Sequence, residues 1–329
     1  MALFLSRRDV QQAVGMVDAI EAVEGAFIAL STGKAHAPVR LSLPVPEQNA
    51  AIHYMPAYLP TSGALGAKIV STFPHNPEIG KATVQAVLVV SDPSTGETLA
   101  IMEGGYLTAL RTGAASGVAT RHLARPDARV VAIFGAGVQG RTQLEAVCGV
   151  RDIETVWVYD LNGQAADRYA SEMSMRGGRI PSDVRVASSP AQAVSDADII
   201  CTSTPSRQPL FSDTDLKAGV HINAIGAFTP EMQEIPPDTV ARARIVVDCH
   251  EACMVEAGDL IIPMNHGMIS REQCTTELGH VAAGVRPGRT SSEQVTLFKS
   301  VGNAVQDVSV ARLVVRRAQS LGLGVEVSL

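Results

Sequence analysis

The sequence predicts an α/β protein of two domains. The chain has 329 residues, enough for two substantial cores, and 46% of them are hydrophobic. From about Arg129 onward, short apolar runs rich in β-branched residues alternate with helix-length segments, which is the pattern of a parallel sheet with crossover helices. Before that point, a helical pattern is followed by short strand-like runs, which indicates a smaller α+β domain.

The first domain is expected to begin with a helix and to continue as a β-rich unit. Apolar residues recur at helical spacing from Val17 to Leu30. Strands are predicted at "AIHYMPAYL", "LGAKIVSTF" and "TVQAVLVVSDPSTGETLAIMEG", the last of them a hairpin around "DPSTGE". Apolar spacing from Phe298 to Leu321 predicts a final helix, which could pack on either domain.

A glycine motif follows the first strand predicted for the second domain. "VVAIFGAGVQGRTQ" runs from an apolar strand into Gly135, Gly137 and Gly140, spaced GxGxxG, and then into a helix. These glycines permit a tight turn, the approach of a pyrophosphate and close helix–strand packing. Asp160 ends the next strand, "TVWVYD", where a carboxylate can accept hydrogen bonds from the adenosine ribose. We therefore expect a Rossmann domain that binds a dinucleotide. NAD(H) is preferred to the alternative, NADP(H), because Asp160 would repel the extra phosphate of NADP(H).

Further strands of the second domain are expected where apolar, β-branched runs recur. They are predicted at "ADIICTSTP", "VHINAIGA" and "ARIVVD". Because ligands lie at the carboxyl ends of such strands, residues just after them are candidates for chemistry. One of these candidates is Phe228, in "HINAIGAFTPEMQE". A phenyl ring cannot donate or take a proton, so it would shape the site.

Three cations in the first domain are candidates to bind an anion. Arg40, Lys68 and Arg111 lie where a strand or helix pattern would bury them, and a buried cation needs an anionic partner. Taken singly, each is better explained by a structural ion pair. Three in one domain without an equal set of nearby acids point instead to a carboxylate ligand. Arginine offers such a ligand a planar fork, and lysine adds a point charge.

Composition argues against several other classes. The net charge is -6 with no block of like charge, so no nucleic-acid partner is expected. No stretch approaches the roughly 18 apolar residues of a membrane helix, and the N-terminus lacks the pattern of a signal peptide. Five cysteines without a CxxC pair favour the reducing cytoplasm. Cys249, His250 and Cys253 match no structural zinc spacing, so no metal is expected.

The sequence resembles the ornithine cyclodeaminase and mu-crystallin family over nearly its whole length. The motifs that carry the resemblance are "PVR" at 38–40, "GAKIV" at 66–70, "GGYLTALRTGAASGVAT" at 104–120, "GAGVQG" at 135–140, "INAIGAFTPEMQEI" at 222–235 and "FKSVGNAVQD" at 298–307. The resemblance implies a homodimer. It also implies a discontinuous dimerisation and substrate domain, residues 1–120 with 307–329, and a Rossmann domain, residues 121–306.

The resemblance also implies which residues form the site. Arg40, Lys68 and Arg111 would hold the carboxylate of an amino or imino acid beside the nicotinamide, and Lys68 is the first candidate for proton donor, ahead of His53. The predicted substrate-binding residues are Arg40, His53, Lys68, Arg111 and Phe228. The predicted cofactor-binding residues are Thr83, Gln85, Arg111, Gly135, Gly137, Val138, Gln139, Gly140, Asp160 and Ile225.

Two positions favour one of the family's reactions over the others. The resemblance implies that the cyclodeaminases and alanine dehydrogenases carry an aspartate where this chain has Phe228, whereas mu-crystallin-like ketimine reductases lack it. It also implies that the cyclodeaminases carry a glutamate where this chain has His53. Because this chain lacks both of these carboxylates, it lacks the groups that would recognise and deprotonate a diamine. Phe228 would instead suit a compact, proline-like ring.

The resemblance therefore implies an NAD(P)H-dependent reductase of cyclic ketimines. The expected reaction converts Δ1-pyrroline-2-carboxylate to L-proline, with Δ1-piperideine-2-carboxylate, the precursor of pipecolate, as a larger substrate. An amino-acid dehydrogenase acting on alanine or arginine and an ornithine cyclodeaminase are alternatives within the family. A non-catalytic, mu-crystallin-like protein that binds ligand and dinucleotide is an alternative of a different class.

Overall fold

A computed structural model describes residues 1–328 and divides them into two compact units. Of the described residues, the first unit comprises Met1–Arg111 and 303–328, and the second comprises Thr112–Gly302. These divisions differ from the expected ones at 120/121 and 306/307. The reason is that the first boundary falls within one continuous helix, Gly104–Leu123, whose sequence pattern carries no break.

The strands and helices are numbered in chain order. The strands are β1 (Ala2–Leu5), β2 (Leu41–Val45), β3 (Ala50–Leu59), β4 (Ala64–Thr72), β5 (Val84–Ser91), β6 (Thr98–Glu103), β7 (Val130–Phe134), β8 (Thr155–Tyr159), β9 (Val184–Val186), β10 (Ile199–Thr202), β11 (His221–Ala224), β12 (Arg244–Val247), β13 (Thr296–Lys299) and β14 (Val325–Val327). The α-helices are α1 (Arg7–Ala13), α2 (Met16–Ser31), α3 (Gly104–Leu123), α4 (Val138–Val150), α5 (Gly163–Ser174), α6 (Pro190–Val194), α7 (Pro237–Arg242), α8 (His250–Glu256), α9 (Gly258–Asn265), α10 (Leu278–Ala282) and α11 (Ala304–Leu321). Short 3-10 helices lie at Pro46–Gln48, Asn76–Ile79, Asp213–Asp215 and Arg271–Cys274.

The first unit is built on a mixed seven-stranded sheet in the order β14-β1-β6-β5-β4-β3-β2. The predicted strands are confirmed as β3 to β6, and the predicted hairpin turn is held by Asp92, whose Oδ1 accepts the backbone N–H of Ser94 at 2.7 Å. Helix α11 packs on α2 and on β3, β4 and β5. Apolar side chains from these elements share one core. The final helix therefore belongs to the first unit.

The second unit is built on a seven-stranded sheet in the order β12-β13-β11-β10-β7-β8-β9, and every pair of neighbours is parallel. The strand order reverses between β7 and β10, which creates the ligand crevice of a doubly wound sheet at the carboxyl ends of the strands. The predicted Rossmann fold is confirmed, together with strands β7, β8, β10, β11 and β12.

Strand β13 corrects one prediction. Helical spacing was expected from Phe298, but the final helix begins at Ala304, after Asn303, whose side chain caps it by accepting from Val305 N. Phe298 and Lys299 are instead fully buried on β13, between β11 and β12. The spacing misled because Phe298 and Val301 precede the helix at intervals that continue its own apolar residues, Val305 and Val308.

Candidate functional site

Lys68 and Arg111 meet the same carboxylate inside the first unit. Lys68 on β4 is 1% exposed and Arg111 on α3 is 6% exposed. The carboxylate is that of Asp307 on α11, which is fully buried. Lys68 Nζ donates to Asp307 Oδ1 at 2.9 Å and lies 2.8 Å from Oδ2, and Arg111 Nε donates to Oδ1 at 2.9 Å. Arg111 Nη1 also donates to Gln306 Oε1.

Asp307 corrects the expectation that the cations of the first domain lack nearby acids. The cations do have a nearby acid, which sequence reasoning missed, although it ends the "FKSVGNAVQD" motif. The acid balances only one of the two buried cations, so Lys68, Arg111 and Asp307 together carry one net positive charge when all are ionised. We call these three residues and Gln306 the clamp. An excess of positive charge out of water favours binding of an anion.

The pKa of Lys68 is strongly lowered. Burial is the largest cause; together with the charges of Arg111 and Arg40, and against the opposing effect of Asp307, it lowers the pKa from 10.5 to about 7. The direction follows because taking the ammonium out of water disfavours its charged form. Lys68 can therefore exchange a proton near neutral pH, which an ordinary lysine cannot.

Arg40 and His53 both interact electrostatically with Lys68. Arg40 is only half-buried and precedes β2, so the expectation that a strand buries it is wrong. His53 on β3 is half-buried, and its Nδ1 lies 2.8 Å from Ser42 Oγ. Burial first, then the charges of Arg40 and Lys68, lower the pKa of His53. The imidazole is therefore neutral at physiological pH.

Strand pairing decides which first-unit residues share a face with Lys68. Met55 is the β3 partner of Lys68, so His53, two residues away, lies on the same face of the sheet. Gln85 on β5 is exposed and, by the same alternation with Leu88, lies on the opposite face. Thr83 precedes β5, is half-buried, and accepts the backbone N–H of Phe73 at 2.8 Å. The first unit thus does not bring Gln85 to the clamp.

The glycine loop of the second unit has the conformation that the motif predicts. Gly135 follows β7 with φ of 97°, a left-handed conformation that favours glycine. A Cβ on Gly140 would lie 2.1 Å from Gly135 O, so the helix could not approach the strand. A Cβ on Gly137 would meet no protein atom within 4 Å. The first turn of α4, with Val138 and Gln139, presents backbone N–H groups at this open side, as a pyrophosphate requires.

Asp160 is tied to that loop. Its Oδ2 accepts the N–H of Ala136, and its Oδ1 accepts the N–H of Asn162, each at 2.8 Å. Each carboxylate oxygen retains a lone pair for one more donor, which suits the two hydroxyls of a ribose. Two side chains hold the backbone of the glycine loop: Arg141 Nη1 donates to Ala136 O at 2.7 Å, and Tyr169 Oη donates to Gly140 O at 2.9 Å. The residues present therefore fit a dinucleotide.

Ile225 and Phe228 follow β11 at the carboxyl edge of the parallel sheet. Ile225 is buried, and its N–H donates to Thr202 O at 3.0 Å, which ties it to the end of β10. Phe228 is 42% exposed. An aromatic side chain that exposed on an ordered loop is available to contact a ligand.

A buried carboxylate that sequence reasoning missed holds this loop. Glu234 is fully buried; its oxygens accept Gly226 N at 2.7 Å, Ala227 N at 3.2 Å, Thr204 N at 2.6 Å and Thr202 Oγ1 at 2.8 Å. Burial raises its pKa despite these hydrogen bonds. The loops after β10 and β11 therefore share one anchor.

A second buried acid supports Glu234 in turn. Asp259 Oδ1 accepts the backbone N–H groups of Glu234 at 2.7 Å and Ile235 at 2.9 Å, and its Oδ2 accepts from Lys299 Nζ at 2.8 Å. Glu234 lies within the quoted "INAIGAFTPEMQEI" motif and Lys299 within "FKSVGNAVQD", which was the only sequence signal for either. Both acids fix backbone geometry: Glu234 holds the loop after β11, and Asp259 holds the backbone at Glu234 and Ile235.

The cysteines are poorly suited to nucleophilic chemistry. All five are free thiols. Burial raises the pKa of Cys148 and Cys201 to about 12 and that of Cys249 and Cys274 to about 11, and it raises the pKa of Cys253 as well. A thiol with a raised pKa is a poor nucleophile and a poor metal ligand. Within residues 1–328, no three or more His, Cys, Asp or Glu side chains cluster as a metal site.

The part of the chain that the structure describes has no helix long and apolar enough to cross a bilayer.

Comparisons with known proteins extend over nearly the whole chain. The sequence profile of the ornithine cyclodeaminase/mu-crystallin family matches residues 1–322. A Δ1-pyrroline-2-carboxylate reductase of Bacillus cereus is 41% identical over 324 residues, which cover 98% of this chain and 98% of that protein. A solved structure of Thermococcus litoralis Δ1-pyrroline-2-carboxylate reductase in complex with NADH and L-proline is 43% identical, covers 99% of this chain and 100% of its own, and has a TM-score of 0.95. An archaeal alanine dehydrogenase dimer with bound NAD is 37% identical, covers 100% of this chain and 99% of its own, and has a TM-score of 0.93.

Proposed function

The chain belongs to the ornithine cyclodeaminase/mu-crystallin family, and from this membership we propose that it is an NAD(P)H-dependent oxidoreductase that reduces a cyclic ketimine. The substrate is Δ1-pyrroline-2-carboxylate, which yields L-proline, and Δ1-piperideine-2-carboxylate, which yields pipecolate, is a larger alternative. Two relatives with this reductase name, 41% and 43% identical, support the assignment. The substrate-binding residues are Arg40, His53, Lys68 and Arg111 in the first unit and Phe228 in the second.

The clamp is the observation that carries the proposal. Lys68 and Arg111 are buried around one carboxylate, Asp307, which leaves an excess positive charge. A carboxylate on the imino acid neutralises that excess and accepts the planar hydrogen-bond pattern of a guanidinium. Asp307 holds both cations in place before the substrate arrives, so little ordering is left to the moment of binding.

The dinucleotide supplies the hydride. The N–H groups at the start of α4, beside Gly137, bind its pyrophosphate, and Asp160 accepts hydrogen bonds from the adenosine ribose. Val138, Gln139 and Ile225 line the same carboxyl edge of the sheet. The protein contributes position and electrostatics, while the bond-making chemistry belongs to the nicotinamide.

Lys68 is the proton donor in this account. Reduction of a C=N bond adds a hydride to the carbon and a proton to the nitrogen, and a side chain that is protonated near neutral pH can supply that proton. The lowered pKa of Lys68, about 7, fits this role. His53, whose pKa is lowered below its ordinary value, is neutral at that pH and is the weaker donor.

Phe228 forms an apolar wall for the ring of the substrate. Replacing it with aspartate is expected to lower kcat/KM for Δ1-pyrroline-2-carboxylate by about tenfold or more, because a carboxylate there repels the substrate and admits water. Steady-state kinetics check this, with Phe228→Leu as the apolar control. Unchanged kinetics in Phe228→Asp would remove Phe228 from the substrate site.

Asp160 sets the preference for NADH. Its carboxylate would lie against the 2′-phosphate of NADPH, and like charges in such proximity are unfavourable. Asp160→Ser is expected to raise the ratio of kcat/KM for NADPH to that for NADH by about tenfold or more. The KM of the imine serves as the internal control. Equal use of both cofactors by the natural chain would contradict this role of Asp160.

The protein acts as a homodimer through the sheet of the first unit. Leu41, Tyr54 and Ile69 are cross-strand neighbours on the face opposite Lys68, and they are 68%, 38% and 36% exposed. Leu43, two residues along β2, is 54% exposed on the same face. Contiguous apolar exposure of this kind marks an interface. The dimeric archaeal relative is consistent with it.

Leu43→Asp is expected to convert the dimer to a monomer. A carboxylate buried in an apolar interface without a partner is strongly unfavourable. Light scattering coupled to gel filtration should give about twice the chain mass of 34.6 kDa for the natural protein and the single mass for the variant. Leu161→Asp is the matched control, since Leu161 is 95% exposed in the second unit. A dimeric Leu43→Asp protein would place the interface elsewhere.

We assign the protein to the cytoplasm on the basis of its thiols. All five cysteines are free, and four of them are buried. A chain with five reduced thiols suits a reducing compartment.

An alanine-type dehydrogenase is the second candidate, favoured by the 37% identical archaeal relative. Such an enzyme would keep the clamp and the dinucleotide but would consume ammonia in the reductive direction. Phe228 argues against an alanine-type dehydrogenase, because the family's alanine dehydrogenases are expected to carry an aspartate at that position.

Three parallel assays test the proposed function. NADH oxidation is measured with freshly generated Δ1-pyrroline-2-carboxylate and with pyruvate plus ammonia, and NAD reduction is measured with ornithine. Turnover of the cyclic imine alone supports the reductase. Faster turnover of pyruvate with ammonia would identify an amino-acid dehydrogenase, and no turnover in any assay would favour the non-catalytic binding protein.

A further inference from the structure

The side-chain amide of Gln306 is only half used by the protein. Gln306 is fully buried on α11 beside Asp307. A guanidinium only donates hydrogen bonds, so the end of the amide that meets Arg111 Nη1 must be the carbonyl Oε1. The other end, Nε2, has no hydrogen-bond partner among the protein atoms of residues 1–328.

A buried donor without an acceptor needs an explanation. Such groups are rare because an unpaired donor out of water is costly, and one that persists is explained by strain, by a functional role or by a bound water or ion. The amide contacts Arg111, which shares Asp307 with Lys68, so it belongs to a cluster in which positive charge exceeds negative charge. The partner that fits is therefore an anion with an oxygen to spare for a neutral donor.

We propose that Gln306 binds the substrate carboxylate: its Oε1 fixes Arg111, and its Nε2 donates a hydrogen bond to one carboxylate oxygen of the imino acid. This inference rests on the proposed function, which supplies the carboxylate. A neutral donor suits the position, because a third cation would lower the pKa of Lys68 further than Arg111 already does.

The difficulty in testing Gln306 is to separate its contact with the substrate from its support of Arg111. A double-mutant cycle does this, using Gln306→Met, Arg111→Lys and the variant with both changes. Methionine keeps the length of the side chain and removes both ends of the amide. Each protein is assayed with Δ1-pyrroline-2-carboxylate and with Δ1-pyrroline, the same ring without the carboxylate. NADH affinity and thermal stability are followed as controls for folding, and Gln319→Met, on the exposed side of the same helix, is the matched control.

The expected result is a rise in KM for the carboxylate-bearing imine of about tenfold or more in Gln306→Met, as the loss of a hydrogen bond to a charged group predicts. A comparable rise should appear in the Arg111→Lys background. Reduction of Δ1-pyrroline and NADH affinity should change by less than about threefold. Gln319→Met should behave as the natural protein.

Three results would overturn the inference. If Gln306→Met has no effect in the Arg111→Lys background, Gln306 acts only through Arg111. If the KM for Δ1-pyrroline-2-carboxylate is unchanged in both backgrounds, Nε2 serves water and not the substrate. A natural protein that leaves Δ1-pyrroline-2-carboxylate unreduced would remove the proposed function and this inference together, and this case is distinguished from the others by the unmutated enzyme alone.

Discussion

Replacing Asp307 with asparagine is expected to lower the free energy of unfolding by about 3–5 kcal/mol. The change preserves size but removes the only acid seen to pair with both Lys68 and Arg111 within residues 1–328. Two buried cations would then face each other without compensation, and the amide would place a donor against one of them. Lys68 would lose its proton to relieve the repulsion, so activity is expected to fall along with stability.

Urea unfolding of Asp307→Asn is best judged against a surface ion pair in the same unit. Asp18 meets Arg317 with two contacts of 2.6 Å, but both side chains are more than a third exposed. Asp18→Asn should cost less than about 1 kcal/mol, because solvent screens the pair. Similar losses for the two variants would show that Asp307 is not the centre of the clamp.

Lys68→Arg is expected to reduce kcat by about 10²-fold or more, with a much smaller change in KM. Arginine keeps the positive charge that holds the carboxylate. It cannot release a proton, because its pKa lies far above the working range. The variant therefore separates the two roles proposed for Lys68, binding and proton donation. Stopped-flow measurement of NADH oxidation with Δ1-pyrroline-2-carboxylate gives the rate of the chemical step.

The pH dependence of the same variant gives a second readout. The natural enzyme should reduce the imine progressively more slowly as pH rises through about 7, where Lys68 loses its proton. In Lys68→Arg this fall should be absent, apart from whatever titration belongs to the free substrate, which both proteins share. A variant as fast as the natural enzyme, with the same pH profile, would show that the ring nitrogen arrives protonated and that Lys68 only binds.

The dinucleotide site could be predicted in detail because its parts lie close together in the chain. Gly135, Gly137 and Gly140 act through backbone geometry that the residue type itself reports, and Asp160 follows within one strand–helix–strand unit. The local pattern also placed β3 to β6 and most of the parallel strands. Strand β9 was missed because it has only three residues, and β13 was missed because its apolar residues continue the spacing of the helix that follows.

The sequence predicted the two cations of the clamp but not Asp307 or Gln306. Buried cations stand out in an apolar run, so the local sequence pattern indicates Lys68 and Arg111. Their acid lies 239 and 196 residues further along the chain, and a helical pattern does not reveal which of its polar residues is turned inward. Glu234 escaped for the same reason, since its partners lie at the ends of two separate strands, β10 and β11. Long-range pairing is a property of the fold and has no local signature.

The most direct measurement is a single turnover with NADH that carries two deuterium atoms at C4 of the nicotinamide, mixed with Δ1-pyrroline-2-carboxylate in ordinary water. The product is analysed by mass spectrometry and by chiral chromatography. Direct hydride transfer to a ring held by its carboxylate predicts L-proline with one deuterium on its α-carbon, formed without added ammonia. Unlabelled proline, or no proline while pyruvate and ammonia yield deuterated alanine, would contradict the assignment of this chain as a ketimine reductase.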